Sequence, residues 1–252
     1  MQVSTKNILN ELDPISLEEM DNVKLMNRMD TKCIFSVDLL NKILQDCSGH
    51  YRALFHAGTK SAFYKTLYFD TPDLKFYYDH HNGRAKRFKV RMRNYTESNL
   101  FYLELKYKRY GRTDKKRIKI PDFSNELNLE ENIFLEKTTK QHFDLSPVIW
   151  NNFSRITLVN KFTPERVTID TGIEFEFNGK KTGFNQLVIG EIKQERTDFN
   201  SPILHYLKKN GVRPSGMSKY CLGMAVLNNS IKHNAFKERI LNIEKIQSNN
   251  KR

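Results

Sequence analysis

The sequence predicts an α+β fold built on an antiparallel sheet, and three features carry that expectation. Between Arg84 and Lys119 ionic and apolar residues alternate with a step of two. The same step returns near 155–162, 166–177 and 187–195. Helix caps and turn signals separate these stretches. A step of two puts successive side chains on opposite faces of a strand, so each strand has one ionic and one apolar face.

The chain begins with a helix signal. Ser16 and Glu19 have capping-box spacing, which predicts a helix over about 17–26. The next stretch, 27–35, alternates again and is read as a strand, with Arg28, Asp30 and Lys32 on one side. Ser36 then caps a helix over about 37–46, whose apolar stripe is Val37, Leu40, Ile43 and Leu44. The aromatic run FYKTLYFD at 63–70 reads as a strand. Thr71-Pro72 starts a helix expected to stop near His80-His81-Asn82-Gly83.

Strands are expected at about 87–95, 100–108 and 113–120, linked by Thr96-Glu97-Ser98-Asn99 and Arg109-Tyr110-Gly111-Arg112. The stretch 125–140 suits one or two helices, and 145–153, which holds Trp150, is expected to be another short helix. After the later strands, Asn178-Gly179 and Thr182-Gly183 supply turns. Ser201-Pro202 caps a helix ending at Gly211, and the chain is helical from Ser218 with a tail that frays from about 247. No repeat, linker or low-complexity block divides residues 1–252, so one domain is the economical expectation.

Charge narrows the function. The stretch from Arg84 to Lys119 holds 14 Lys or Arg against three acids, whereas the whole chain is only +13. Like charges on neighbouring strands repel unless a counter-ion lies between them, so this face implies a polyanion. A Lys/Arg-rich face also serves solubility and edge protection, which is the plainer reading. The three cysteines form no CxxC pair, which disfavours a disulfide framework and suits a reducing compartment. No signal-peptide core and no run of membrane-spanning length is present, so a cytoplasmic protein without a membrane span is expected. Phosphate loops, dinucleotide motifs, zinc-protease helices and serine elbows are all absent.

The ionic faces allow two architectures. A flat sheet leaves them in water, and a closed barrel turns them inward around a tunnel. Glu104 lies two residues from Lys106 and Glu191 two from Lys193, so acid and base share a face. Carboxylates among cations suit Mg²⁺ or Mn²⁺ shared with a phosphate chain, or simple cross-strand ion pairing.

The order of DTKCIF, YFDTPDLKFYYDHHNG, VRMRNY, LELKYK, GRTDKKRI, ERVTIDTGI, IGEIK and SKYCLGM resembles the polyphosphate-polymerase (VTC, vacuolar transporter chaperone) domain of the triphosphate tunnel metalloenzymes, over about 27–227. The resemblance implies an antiparallel β-barrel tunnel with an ionic interior, flanked and closed by helices. It implies an ATP:polyphosphate phosphotransferase dependent on Mn²⁺ or Mg²⁺, with ATP and polyphosphate as partners and no nucleic acid. By motif, Arg91, Arg93, Lys106 and Lys219 would be catalytic. Phosphates would be held by these and by Lys32, Lys115, Arg117, Lys161, Arg166 and Lys193. Glu191 would bind the metal, helped by Glu104. Lys161 stands where the family usually has an arginine, and Gly216-Met217 where it has a lysine. The paired glutamates of the triphosphatase branch are replaced by Arg28, Asp30 and Lys32, which favours transfer to a phosphate chain over hydrolysis. The alternatives are a triphosphatase of the same fold and a non-catalytic polyphosphate-binding module.

Overall fold

The alternation at 86–120 becomes three paired strands in the computed structural model, which describes residues 5–21, 29–195 and 200–248. The elements in chain order are α1 (Thr5–Glu11), β1 (Pro14–Ile15), α2 (Leu17–Asp21), β2 (Met29–Ser36) and α3 (Val37–Asp46). Then come β3 (Tyr51–Leu54), β4 (Ser61–Asp70), α4 (Lys75–His81), β5 (Lys86–Tyr95), β6 (Leu100–Arg109), β7 (Arg112–Ile120) and α5 (Leu129–Thr139). The rest are β8 (Ser146–Asn160), β9 (Glu165–Phe177), β10 (Lys180–Phe184), β11 (Leu187–Gln194), α6 (Pro202–Lys209), α7 (Lys219–Leu227) and α8 (Lys237–Ser248).

The strands join one sheet whose main path runs β2-β11-β9-β8-β4-β5-β6-β7. Along this path every pairing is antiparallel. The sheet curls into a half-barrel. Lys32 on β2 lies far along the path from β5 and β6, yet its charge lowers the pKa of both Lys89 and Lys106 across the concave side.

Alternation then sorts the core into three clusters. Outward-facing Ile156, Leu158, Val167, Ile169, Val188 and Ile192 pack under α1, α3 and α6. Outward-facing Leu67, Val90, Met92, Leu103 and Leu105 pack with Leu135 of α5. The third cluster lies on the concave side, where Tyr220, Leu222 and Met224 of α7 meet Ile149, Phe153, Ile173 and Phe175. Helix α7 therefore plugs part of the half-barrel.

Several expected details hold. Ser16 and Glu19 exchange both capping-box hydrogen bonds, at 2.9 and 3.1 Å. That helix was expected to continue to 26, and its part beyond 21, like Arg28, lies outside the described residues. Asn178 and Gly179 take positive φ (47° and 76°) and close the β9–β10 hairpin. The stretch 125–140 holds a single helix, α5 (Leu129–Thr139), with a capping box between Asn128 and Glu131.

Others are corrected. Residues 146–153 are not a helix but the first half of β8, paired with β4 on one side and β9 on the other. This half-strand carries apolar groups on both faces: Ile149 and Phe153 point inward, and Trp150 points outward onto Phe123. The one-sided pattern that marks a strand is therefore missing. Thr182-Gly183 is no turn; it pairs with Phe175 and Glu174 inside β10. Helix α4 starts at Lys75 rather than after Thr71, because Leu74 adopts a left-handed φ of 55°. The C-terminal part from Ser218 is two helices, separated by residues 228–236. Of the tail expected to fray, 249–252 lies outside the described residues. Among the described residues no helix is long and apolar enough to cross a membrane.

Gly223 sets how closely α7 approaches the sheet. A Cβ there would stand 2.5 Å from Phe175 Cδ1 and 2.7 Å from Ile149 Cδ1. Overpacking of this kind costs about 1–3 kcal/mol. Gly223→Ala should therefore lower the thermal unfolding midpoint, and an unchanged midpoint would contradict the packing described.

Candidate functional site

The concave face is organised by three carboxylates, each shared by two cations. Glu104, on β6, is fully buried. Its Oε2 accepts from Arg91 Nε (2.8 Å) and Nη2 (2.6 Å) of β5. Its Oε1 pairs with Lys115 of β7 and accepts from Tyr95 OH at 3.1 Å. Burial alone would raise its pKa, but Arg91, Arg93 and Lys115 hold it well below the usual carboxylate range.

Asp170, on β9, accepts a two-pronged contact from Arg155 of β8, with Nε to Oδ1 at 2.6 Å and Nη2 to Oδ2 at 2.8 Å. Lys219, at the start of α7, pairs with the same carboxylate. Again burial is outweighed, here by Arg155 and Lys219, and the pKa is depressed. Glu191, on β11, pairs with Lys32 of β2 at 3.2 Å and with Lys193 of its own strand. Its depressed pKa has the same balance: burial opposes and Lys193 and Lys32 prevail.

Between these pins Lys89 and Lys106 have no such carboxylate partner among the described residues. Lys89, Lys106 and Lys115 lie directly opposite one another across β5, β6 and β7. Lys106 has no hydrogen bond or ion pair among the described residues. Burial, followed by the charge of Arg91, pushes its pKa well down. Burial likewise brings Lys89, Lys115 and Lys219 down to about 8. Among the described residues Arg93 hydrogen-bonds only Thr66, by Nε at 3.1 Å. An aromatic floor supports this end of the face. Tyr64 and Phe153 stack at 5.2 Å, Arg93 and Arg155 lie over both rings, and Lys219 sits 4.3 Å from the Phe153 centroid.

Of the residues expected from sequence, the fold brings Lys32, Arg91, Arg93, Lys106, Lys115, Lys193, Lys219, Glu104 and Glu191 together on this face. Arg166 stands opposite Lys193 on the same side of β9. Arg117 shares the face through its register with Glu104, but on the exposed strand β7, where it covers the Tyr102 ring at 4.3 Å. Lys161 does not belong there. It lies beyond the end of β8 and pairs with Asp13 at 2.7 Å, and the inward cation of that strand is Arg155. Glu104, expected to help hold a metal, is fully buried, with its oxygens engaged by Arg91, Lys115 and Tyr95.

Sequence reasoning passed over Lys89, Arg155, Asp170 and the Tyr64–Phe153 floor. A signal for two of them existed. Arg166, Thr168 and Asp170 alternate, as do Arg155 and Thr157, so both strands' inward faces were marked.

Of the three carboxylates Glu191 is the one most accessible to a metal. The Glu191 side chain is 18 % exposed, against 0 % for Glu104 and 4 % for Asp170. No cluster of three His, Cys, Asp or Glu suited to a metal occurs among the described residues. Glu191 fits the case in which one carboxylate anchors Mg²⁺ or Mn²⁺ and substrate phosphates complete the shell.

A curled antiparallel sheet with a cationic concave face suits an anionic ligand. The chain belongs to the VTC domain family, whose model matches residues 27–228. No curated protein matches it. Among solved structures, the Hippeastrum protein HpAC1, described as having a dominant triphosphatase activity, is 15 % identical with a TM-score of 0.48, over 82 % of this chain and 100 % of that one. A Vibrio parahaemolyticus structure named as an adenylate cyclase candidate is 12 % identical with a TM-score of 0.44, over 77 % and 97 %. Neither likeness bears on this chain's reaction.

The lysine pKa values give a pH dependence whose sign follows directly. Below about 8 Lys89, Lys115 and Lys219 are charged, and above it they lose the proton that attracts an anion. Affinity for long-chain polyphosphate, whose internal phosphates stay ionised throughout, should fall as pH rises from about 7 to 9, by up to about one log unit per pH unit for each lysine that must recharge. Calorimetry in buffers of different ionisation enthalpy should show proton uptake on binding. A flat affinity profile would contradict the lowered pKa of these amines.

Proposed function

We propose that this chain is a metal-dependent polyphosphate polymerase that transfers the terminal phosphoryl group of ATP to a polyphosphate chain. The observation that carries the reading is the rung of opposed lysines Lys89, Lys106 and Lys115. Like charges placed directly opposite are destabilising, and the desolvation of Lys89 and Lys106 makes them more so. A bound polyanion relieves both costs. Membership of the VTC family supplies the class of polyanion.

Phosphoryl transfer asks the protein mainly for positioning and charge stabilisation. Arg91, held by Glu104, and Arg93, held by Thr66, present guanidinium groups in fixed orientations to phosphate oxygens. Lys106 directs an ammonium group at the reacting phosphate, and Lys219 adds a charge beside the first turn of α7. The attacking group is a terminal phosphate oxygen of the acceptor chain. It is already anionic, so no general base is needed. The bond between the γ-phosphorus and its bridging oxygen breaks, a new phosphoanhydride forms, and ADP departs. Glu191 would hold the Mg²⁺ or Mn²⁺, which supplies Lewis-acid neutralisation of phosphate charge.

The test is to incubate purified protein with ATP and Mn²⁺ and resolve the products on a gel. A ladder of polyphosphate is expected. Free phosphate without polymer would instead indicate a triphosphatase, and binding without turnover a binding module. Lys106→Met should reduce synthesis by roughly 100-fold or more while leaving the melting temperature equal or higher, because it removes a buried, unpaired charge. Wild-type synthesis in that variant would remove Lys106 from the site. Glu191→Gln should abolish metal-dependent synthesis, and unchanged turnover would rule it out as ligand.

A further inference from the structure

Two motif residues remain without a role in that chemistry, Asp70 in YFDTP and Tyr220 in SKY. Both are buried, at 0 % and 1 % exposure. Asp70 is a carboxylate with no cation paired to it among the described residues; only neutral donors reach it. Its Oδ1 accepts from the backbone amides of Thr71 and Phe76, each at 2.8 Å. Its Oδ2 accepts from the amide of Tyr77 at 2.9 Å and from Tyr220 OH at 2.5 Å. One side chain at the end of β4 thus fixes the first turn of α4 and reaches the first turn of α7.

The need for such a tether is visible at Lys219. It is the first residue of α7, where the helix dipole disfavours a cation. It is also buried, with Asp170 as its counter-ion. Left to itself, this turn would gain by releasing the ammonium group to water. The next residue in the chain is Tyr220. Its ring stacks on Tyr68 at 5.3 Å, and Tyr68 OH accepts from Arg91 Nη1 at 3.3 Å. Tyr220 therefore links Asp70 to two cations of the face: to Lys219 through the chain, and to Arg91 through its ring on Tyr68.

We propose that Asp70 and Tyr220 are positioning residues for phosphate binding, their hydrogen bond setting the first turn of α7 so that Lys219 stays on the concave face. The proposal rests on the polyphosphate reading of that face. It touches no reacting atom and predicts an effect through Lys219.

Tyr220→Phe is the discriminating variant, since it deletes one O–H and keeps the ring on Tyr68. Its affinity for tripolyphosphate should weaken about tenfold, the scale of a hydrogen bond to a charged group. The KM for ATP should rise by a similar factor while kcat stays within about twofold. A merely structural role would lower the melting temperature and the fraction of active protein, reducing kcat at constant KM, and that result would overturn the proposal. The pathway is read by a double-mutant cycle. In a Lys219→Ala background Tyr220→Phe should have no further effect, and additive losses would contradict action through Lys219. Asp70→Asn retains an acceptor for the Thr71 and Phe76 amides, loses the one at Oδ2 and should reproduce the Tyr220→Phe rise in KM; a wild-type KM there would also overturn it. Tripolyphosphate binding by the wild type is measured first. No binding at all would overturn the polyphosphate reading and this proposal together, whereas wild-type affinity in Tyr220→Phe would overturn the positioning role alone.

Discussion

Sharing each interior carboxylate between two cations is the interaction on which the rest of the site depends. Glu104 joins β5, β6 and β7; Asp170 joins β8, β9 and α7; Glu191 joins β2 and β11. Together they span nearly the whole curl of the sheet. Such buried pairs are poor sources of net stability, because desolvation offsets much of the Coulomb gain, yet removing one partner costs about 3–5 kcal/mol. They fix geometry. Arg91, Arg155 and Lys219 are pre-aimed, and the remaining cations between them are left for a ligand.

Stability comes from elsewhere. The apolar alternate residues of the curled sheet are covered by α1, α3 and α6 on one flank and by α5 on the other, while α7 fills the concave end. That division lets the middle of the concave face stay ionic. A chain that concentrates positive charge to this degree is less stable without its ligand than a neutral equivalent would be, which is a common cost of a binding site. Lys106 illustrates it: buried among Arg91, Arg93 and Lys32, it contributes little to the fold and has a clear use once an anion arrives.

How much of this was legible depended on whether each residue's role was local. The strands at 86–120 could be read because one of their faces is ionic and the other apolar, and the caps at Ser16, Ser36 and Ser201 because a cap involves only near neighbours. The start of β8 could not, since Ile149, Trp150 and Phe153 bury both of its faces and erase the alternation. Glu104 was correctly placed on the ionic face, but its role depends on register. Only when Arg91 stands opposite Glu104 and Lys115 reaches it from β7 does it become plain that cations enclose the carboxylate. Lys161 shows the converse. Motif order pointed to it, and the β8 register put Arg155 opposite Asp170 instead.

The central claim is that this concave face holds a condensed phosphate, and a crystal structure of the protein with tripolyphosphate and Mn²⁺ tests it most directly. The account predicts phosphate groups bracketed by Arg91, Arg93, Lys106 and Lys219, with the Mn²⁺ on Glu191 and none on Glu104. Phosphates bound only at the exposed β6–β7 hairpin around Arg109 and Arg112, with nothing on the concave face, would contradict it.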